Sequence, residues 1–155
     1  MSLAPDPAGA FVVAGGRSGS VTVLRRDTGA TTEVARHATS VLAVAWDPQR
    51  GTIASADLSG VLRISRADGS GTILERTAHT FGVRALRYLP DGSRLVSGGT
   101  DDTLRLFDPD DLEETLSLRS GWPAAAISVT PDSRTISAVG ALAVNGPWVR
   151  VWRSR

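Results

Sequence analysis

The chain contains no cysteine and no lysine. Lacking cysteine, it has no disulfide, no thiol nucleophile and no Cys-ligated zinc. Lacking lysine, it draws all 17 basic residues from arginine, against 16 acidic residues, for a formal net charge of +1. That balance supplies no field for DNA, RNA or an anionic membrane, so neither nucleic acid nor membrane is expected as a partner. No apolar run approaches the length of a membrane span. The first residues, MSLAPDPAGAFVVAGG, carry neither a charged leader nor a sustained apolar stretch, so a cytoplasmic location is expected. Arginine in place of lysine, with abundant Ala, Gly, Val and Asp, fits a GC-rich bacterial coding bias. A helical period of 3.6 is missing as well.

What is present repeats. The 155 residues, 41% hydrophobic and 21% charged, suit one globular domain. Pro5, Pro48, Pro90 and Pro131 stand at turn-like positions separated by 43, 42 and 41 residues. His37 and His79 are 42 apart, each eleven residues before its proline. An apolar run follows each proline (AFVVAGG, TIASAD, RLVSGG, TISAVG), and then a second one (SVTVLR, VLRISR, TLRLFD, WVRVWR). The second runs alternate apolar with polar, as in Leu104-Arg105-Leu106, which is the period of a pleated strand. Val41–Trp46 and Val83–Tyr88 also read as strands ending at an X-Pro turn. Thr72–Arg76 and Glu114–Leu118 read as more polar outer strands. The unit is a four-stranded antiparallel meander of about 42 residues.

This unit, with His near its start and a Gly/Asp turn before an apolar-x-apolar-aromatic-Asp ending, resembles the WD-repeat family of β-propellers. The third unit matches best: His79, Val83, Pro90-Asp91-Gly92, SGGTDD at 97–102 and LRLFD at 104–108. The second matches from His37 to Arg66; the first is cut off before its His; the fourth has Ser120 where His would stand. The closing dipeptides are degenerate: Leu24-Arg25, Ser65-Arg66, Phe107-Asp108 and Trp152-Arg153. The resemblance implies an all-β fold, a partial β-propeller of about four four-stranded antiparallel blades, with the N-terminal blade incomplete. The expected organisation is one domain over 1–155 with units at about 1–36, 37–78, 79–119 and 120–155.

Closed propellers typically have four to eight blades, and each blade buries its faces only against neighbours. A chain beginning in mid-unit therefore leaves two apolar end faces. A second copy, the remainder of a larger propeller, or a small strained ring would each resolve that, and the sequence leaves all three open.

Ser97, His79 and Asp101 are the residue types of a hydrolytic triad. The resemblance instead implies that His79, Ser97 and Asp101, with His37 and Ser55 in the second unit, form buried networks that staple the blades. In the third unit Phe107 replaces the family's hydrogen-bonding indole, and in the second Ser59 stands where Asp101 does. The two histidines lack carboxylates at metal-ligand spacing, and the acidic cluster at Asp101–Asp102 and Asp108–Asp111 lacks calcium-loop spacing. No glycine pair precedes a helix that could cradle phosphate. No cofactor and no metal is therefore expected. Thr39, Phe81 and Trp122 lie nine residues before each turn proline. By resemblance that is the rim of the propeller, where aromatic side chains can anchor a protein partner, with Arg84 and Arg36 beside them. Two readings follow: a non-catalytic interaction scaffold, or a C-terminal sensor fragment of a larger bacterial signalling protein. A Ser97/His79 hydrolase is the third.

Overall fold

Alternation along each run makes two-faced strands, and hairpin turns fold them into successive meanders. The computed structural model describes residues 1–140 and 148–153. The first sheet runs β1 (Ser2–Pro5), β2 (Phe11–Gly15), β3 (Ser20–Arg25) and β4 (Thr31–Arg36). The second is β5 (Val41–Trp46), β6 (Thr52–Asp57), β7 (Val61–Arg66) and β8 (Thr72–Thr77). The third is β9 (Val83–Tyr88), β10 (Leu95–Gly99), β11 (Thr103–Phe107) and β12 (Glu114–Arg119). The fourth has three strands among the described residues, β13 (Ala124–Val129), β14 (Thr135–Gly140) and β15 (Trp148–Arg153). All pairings are antiparallel and between sequence neighbours, and no helix occurs among the described residues. The all-β partial propeller stands as expected.

The shortfall expected of the first unit is confined to its inner edge. Strand β1 is only four residues long, yet it pairs with β2 from Ser2↔Gly15 to Pro5↔Val12. The sheet with three described strands is at the other end of the chain.

The inner strands β1, β5, β9 and β13 adjoin in turn, so the blades fan around a common centre. Each blade turns one face to its predecessor and the other to its successor, which is why the core falls into three clusters, one per junction. Val13, Val21 and Val23 of the first blade pack on Val44 and Ile53 of the second. Ala54, Leu62 and Ile64 of the second pack on Leu86, Tyr88, Leu95 and Phe107 of the third. Val96 and Leu104 of the third pack on Ile127, Ile136 and Ala138 of the fourth. Burying apolar area in this way contributes about 25 cal/mol per Å².

The outer faces of the end blades have no such partner among the described residues. On the fourth, Val149 and Val151 are 64% and 54% exposed. Register places them beside Val139 and Ser137 on a single face. On the first, Leu3 and Leu24 are exposed beside Ala14 and Val12.

Candidate functional site

The histidine of the third blade lies in the loop before β9, and its serine lies in the middle of β10. Because β10 pairs directly with β9, that serine falls beneath the loop. His79 Nε2 lies 2.7 Å from Ser97 Oγ, and His79 Nδ1 lies 2.9 Å from Asp101 Oδ1. An ionised carboxylate only accepts, so Nδ1 carries the proton and donates to Asp101, while the Ser97 hydroxyl donates to Nε2. The Thr103 hydroxyl donates to the same Asp101 oxygen at 2.7 Å, and Arg105 Nη2 stands 3.4 Å from the other. Gly99 makes this arrangement feasible: a Cβ there would collide with the His79 ring and with Asp101.

The second blade builds the staple differently. His37 Nε2 lies 2.8 Å from Ser55 Oγ, matching His79 and Ser97. The carboxylate, however, comes from Asp57, two residues earlier in the unit than Asp101 and in the place that Gly99 occupies. Asp57 Oδ2 stands 3.2 Å from His37 Nδ1, within ion-pair distance but off the line of a hydrogen bond. Ser59, at the position of Asp101, supports Asp57 by donating its backbone N–H at 3.0 Å and its hydroxyl at 2.7 Å. The network that looked incomplete from Ser59 has its acid elsewhere.

Burial decides the electrostatics. Both histidines are pushed below their ordinary value, chiefly by desolvation, against the pull of Asp57 and Asp101 respectively. Burial alone would raise Asp57 and Asp101, but the bonds they accept outweigh it and hold both below the usual carboxylate range. The result is a neutral imidazole between a serine and a carboxylate, the order of groups in a hydrolytic triad. Ser97 is fully buried and His79 is 2% exposed. An attacking hydroxyl needs an approach for its carbonyl, and this one is closed off.

Of the five residues expected in rim loops, Thr39, Phe81 and Trp122 lie in loops, whereas Arg36 ends β4 and Arg84 lies on β9, because β4 continues through Arg36 and β9 already begins at Val83. Phe81 projects from the loop before β9 and is 61% exposed. Trp122 is half-buried, with the Arg150 guanidinium 5.2 Å above its ring and its indole filling the space left by Gly140. Thr39 is half-buried near Asp57. Arg36 is exposed and makes a two-bond pair with Glu33 at 2.9 and 2.7 Å. Arg84 is exposed on β9 and faces the central cavity between the inner strands.

Sequence reasoning missed Leu58. It is 56% exposed at the tip of the β6–β7 turn, where its backbone abuts Gly82, next to Phe81. The signal was a leucine within the otherwise polar turn Asp57-Leu58-Ser59-Gly60. The recurring arginines are engaged. Arg63 pairs with Glu75 at 2.7 Å, Arg105 with Glu114 at 3.0 Å, and Arg150 donates to the Arg119 carbonyl at 2.7 Å.

The profile of the family described as "WD domain, G-beta repeat" matches residues 71–108, the end of the second unit and most of the third. No curated protein matches the chain by sequence. A chain of the structure described as "Crystal Structure of Mitotic Checkpoint Complex" superposes with a TM-score of 0.81 at 20% identity, covering 90% of this chain and 43% of that one. Kuenenia stuttgartiensis Hydrazine Synthase superposes with a TM-score of 0.87 at 19% identity, covering 98% of this chain and 45% of that one. The chain thus spans less than half the length of either matched chain. The resemblance to WD-repeat propellers holds in sequence over residues 71–108, and in fold over the four sheets.

Proposed function

We propose that this chain of WD-type blades is a non-catalytic protein-interaction scaffold that meets its partner through rim loops. The observation that carries the reading is the exposure of two large apolar side chains on neighbouring loops, Phe81 before β9 and Leu58 in the β6–β7 turn, whose backbone abuts Gly82. Water-facing apolar anchors on a rigid frame are what protein interfaces use as hot spots. The closed-off Ser97 argues against the hydrolase. The arginine row, already met by carboxylates and carbonyls, argues for protein over nucleic acid. One fold relative is named as part of an assembly and the other as an enzyme, so fold alone does not choose. A photo-crosslinking residue at position 81 should capture a protein from the source cell's extract. Leu58→Asp should abolish that capture, and Leu116→Asp, on the outer strand, should leave it intact. Capture insensitive to Leu58→Asp would overturn the rim reading.

A second reading concerns assembly. The exposed Val149 and Val151 at one end and Leu3 at the other are faces that a further blade would cover. Completion by a second copy or by the remainder of a larger propeller, including that of a signalling protein, fits them equally. Light scattering behind a sizing column separates them: twice 16.2 kDa means a second copy, aggregation or a molten monomer means blades supplied from elsewhere, and a sharply folded 16.2 kDa monomer means ends that need no cover.

A further inference from the structure

Two sets of strand arginines contrast. Those of the third strands, Arg63, Arg105 and Arg150, recur with the repeat, and each is met by a carboxylate or a carbonyl. Those of the inner strand β9, Arg84 and Arg87, do not recur. Counted back from the turn prolines, Leu42 and Ala125 stand at the place of Arg84, and Ser2, Ala45 and Ser128 at the place of Arg87. Building a blade therefore requires neither arginine. Both are exposed, and among the described residues neither has a hydrogen-bond or ion-pair partner.

Both side chains line the central cavity of about 140 Å³ between the inner strands. Ala43, Val44, Ala126 and Ile127 form its apolar walls, and β1, β5, β9 and β13 contain no Asp or Glu. The acids that follow these strands are engaged in their own turns. Asp6 accepts from the Phe11 N–H, Asp47 from those of Gln49 and Arg50, Asp91 from Ser93 and Asp132 from Arg134. Two positive charges thus face one small space whose apolar walls concentrate their field. A backbone donor joins them. On β5 the Val44 N–H points into the cavity, where it donates to Ser2 Oγ at 3.2 Å. Leu86 stands opposite Ser97 as Val44 stands opposite Ser55, so the Leu86 N–H takes the same direction.

We propose that this cavity binds a small oxyanion with two negative charges, a phosphate group or a short dicarboxylate, held by Arg84, Arg87 and the Leu86 N–H. Guanidinium forks match paired oxygens of such ions, and a doubly charged ligand cancels both arginines at once. A second copy closing the ring would bring the same two arginines and again no acid on its inner strands, so it would add to the charge rather than neutralise it. The site is separate from Phe81 and Leu58, and its failure would leave the rim reading untouched.

The test titrates the full chain, labelled with ¹⁵N, with sodium phosphate, malonate or acetate near neutral pH, at constant ionic strength set by sodium chloride. The Nε–H signals of Arg84 and Arg87 and the Leu86 amide should shift saturably with a dianion. Shifts with phosphate alone identify a phosphate group, shifts with malonate alone a dicarboxylate, and shifts with both a site that selects by charge. Acetate, with one charge, should bind at least about tenfold more weakly, as should phosphate or malonate to Arg87→Gln, which loses one charge-assisted bond. Arg119→Gln, at an exposed position on the outer strand β12, should leave the affinity unchanged. The absence of a saturable shift with either dianion at millimolar concentration would overturn the proposal. So would equal affinity in a well-dispersed Arg87→Gln, or acetate binding as tightly as the dianions.

Discussion

The second and third blades share a frame and differ in what fills it. Their histidines and serines are 42 residues apart and sit at nearly equal distances, 2.8 and 2.7 Å. Their carboxylates come from positions two residues apart in the unit, Asp57 in one and Asp101 in the other. Their junction plugs differ more, Ser65 and Ser70 against Phe107 and Leu112. The repeat therefore conserves the need for an acid next to the imidazole, and leaves open which backbone position delivers it. Asp57 closes β6 while Asp101 stands in the turn that follows β10, so a carboxylate from the strand end or from the turn can reach Nδ1 of the ring. Where the second unit has Ser65 and Ser70, the first junction is instead packed with the Phe11–Trp46 stack, whose centroids are 5.9 Å apart.

The largest effect should come from breaking the contrast in plugs. Phe107→Ala removes a fully buried ring and should destabilise by about 3–5 kcal/mol, read from urea midpoints at constant m. Ser65→Ala at the equivalent position should cost about 1 kcal/mol or less, because it loses only the 3.2 Å contact with the Thr72 hydroxyl. Equal costs at the two sites would mean that the junctions are packed alike.

Next comes the exchange of carboxylates. Asp101→Ser strips His79 of its partner and should cost about 1–3 kcal/mol. Gly99→Asp alone should also destabilise, since its Cβ enters the space held by His79 and Asp101. Together, Gly99→Asp with Asp101→Ser reproduces the Asp57/Ser59 pattern, and much of the loss should return as a favourable coupling energy in the double-mutant cycle. Additive losses would refute the idea that the two positions are interchangeable.

The frame was legible in the sequence and the filling only partly so. Period, proline spacing and alternation gave the strands, because each follows from backbone geometry that repeats with the unit. The strands expected at Val41–Trp46 and Val83–Tyr88 have those same bounds in the structure. The contacts of His79 with Ser97 and Asp101 could be anticipated because all three stood at family positions. Asp57 could not, since alignment by spacing assigned the acid's place to Ser59. Leu58 and the stacking of Phe11 on Trp46 escaped for a different reason. Each depends on what a neighbouring blade does or does not supply, and a repeat read one unit at a time contains no statement about its neighbour. The environment of Trp122, shaped by Arg150 and Gly140, is of the same kind.

The smallest effect is absent at neutral pH and sharpens the comparison of the two histidines. Each has its folded-state value lowered from an ordinary 6.5, mainly by burial. The unfolded chain therefore takes up protons near pH 6.5 that the folded chain refuses, so stability is full above that pH and falls as pH drops below it. The slope approaches about 1.4 kcal/mol per pH unit for each histidine between its folded and ordinary values. Asp57 and Asp101, lowered from 3.8, act in the same direction at lower pH: their contribution is present above about 3.8 and is lost on further acidification. Melting temperatures from pH 7.5 to pH 5 should decline, and His37→Gln and His79→Gln should each flatten part of that decline. Stability that instead rose on acidification would mean that the pull of the carboxylates exceeds the cost of burial. In that case the imidazoles would be charged partners of Asp57 and Asp101, and the staples would be buried ion pairs.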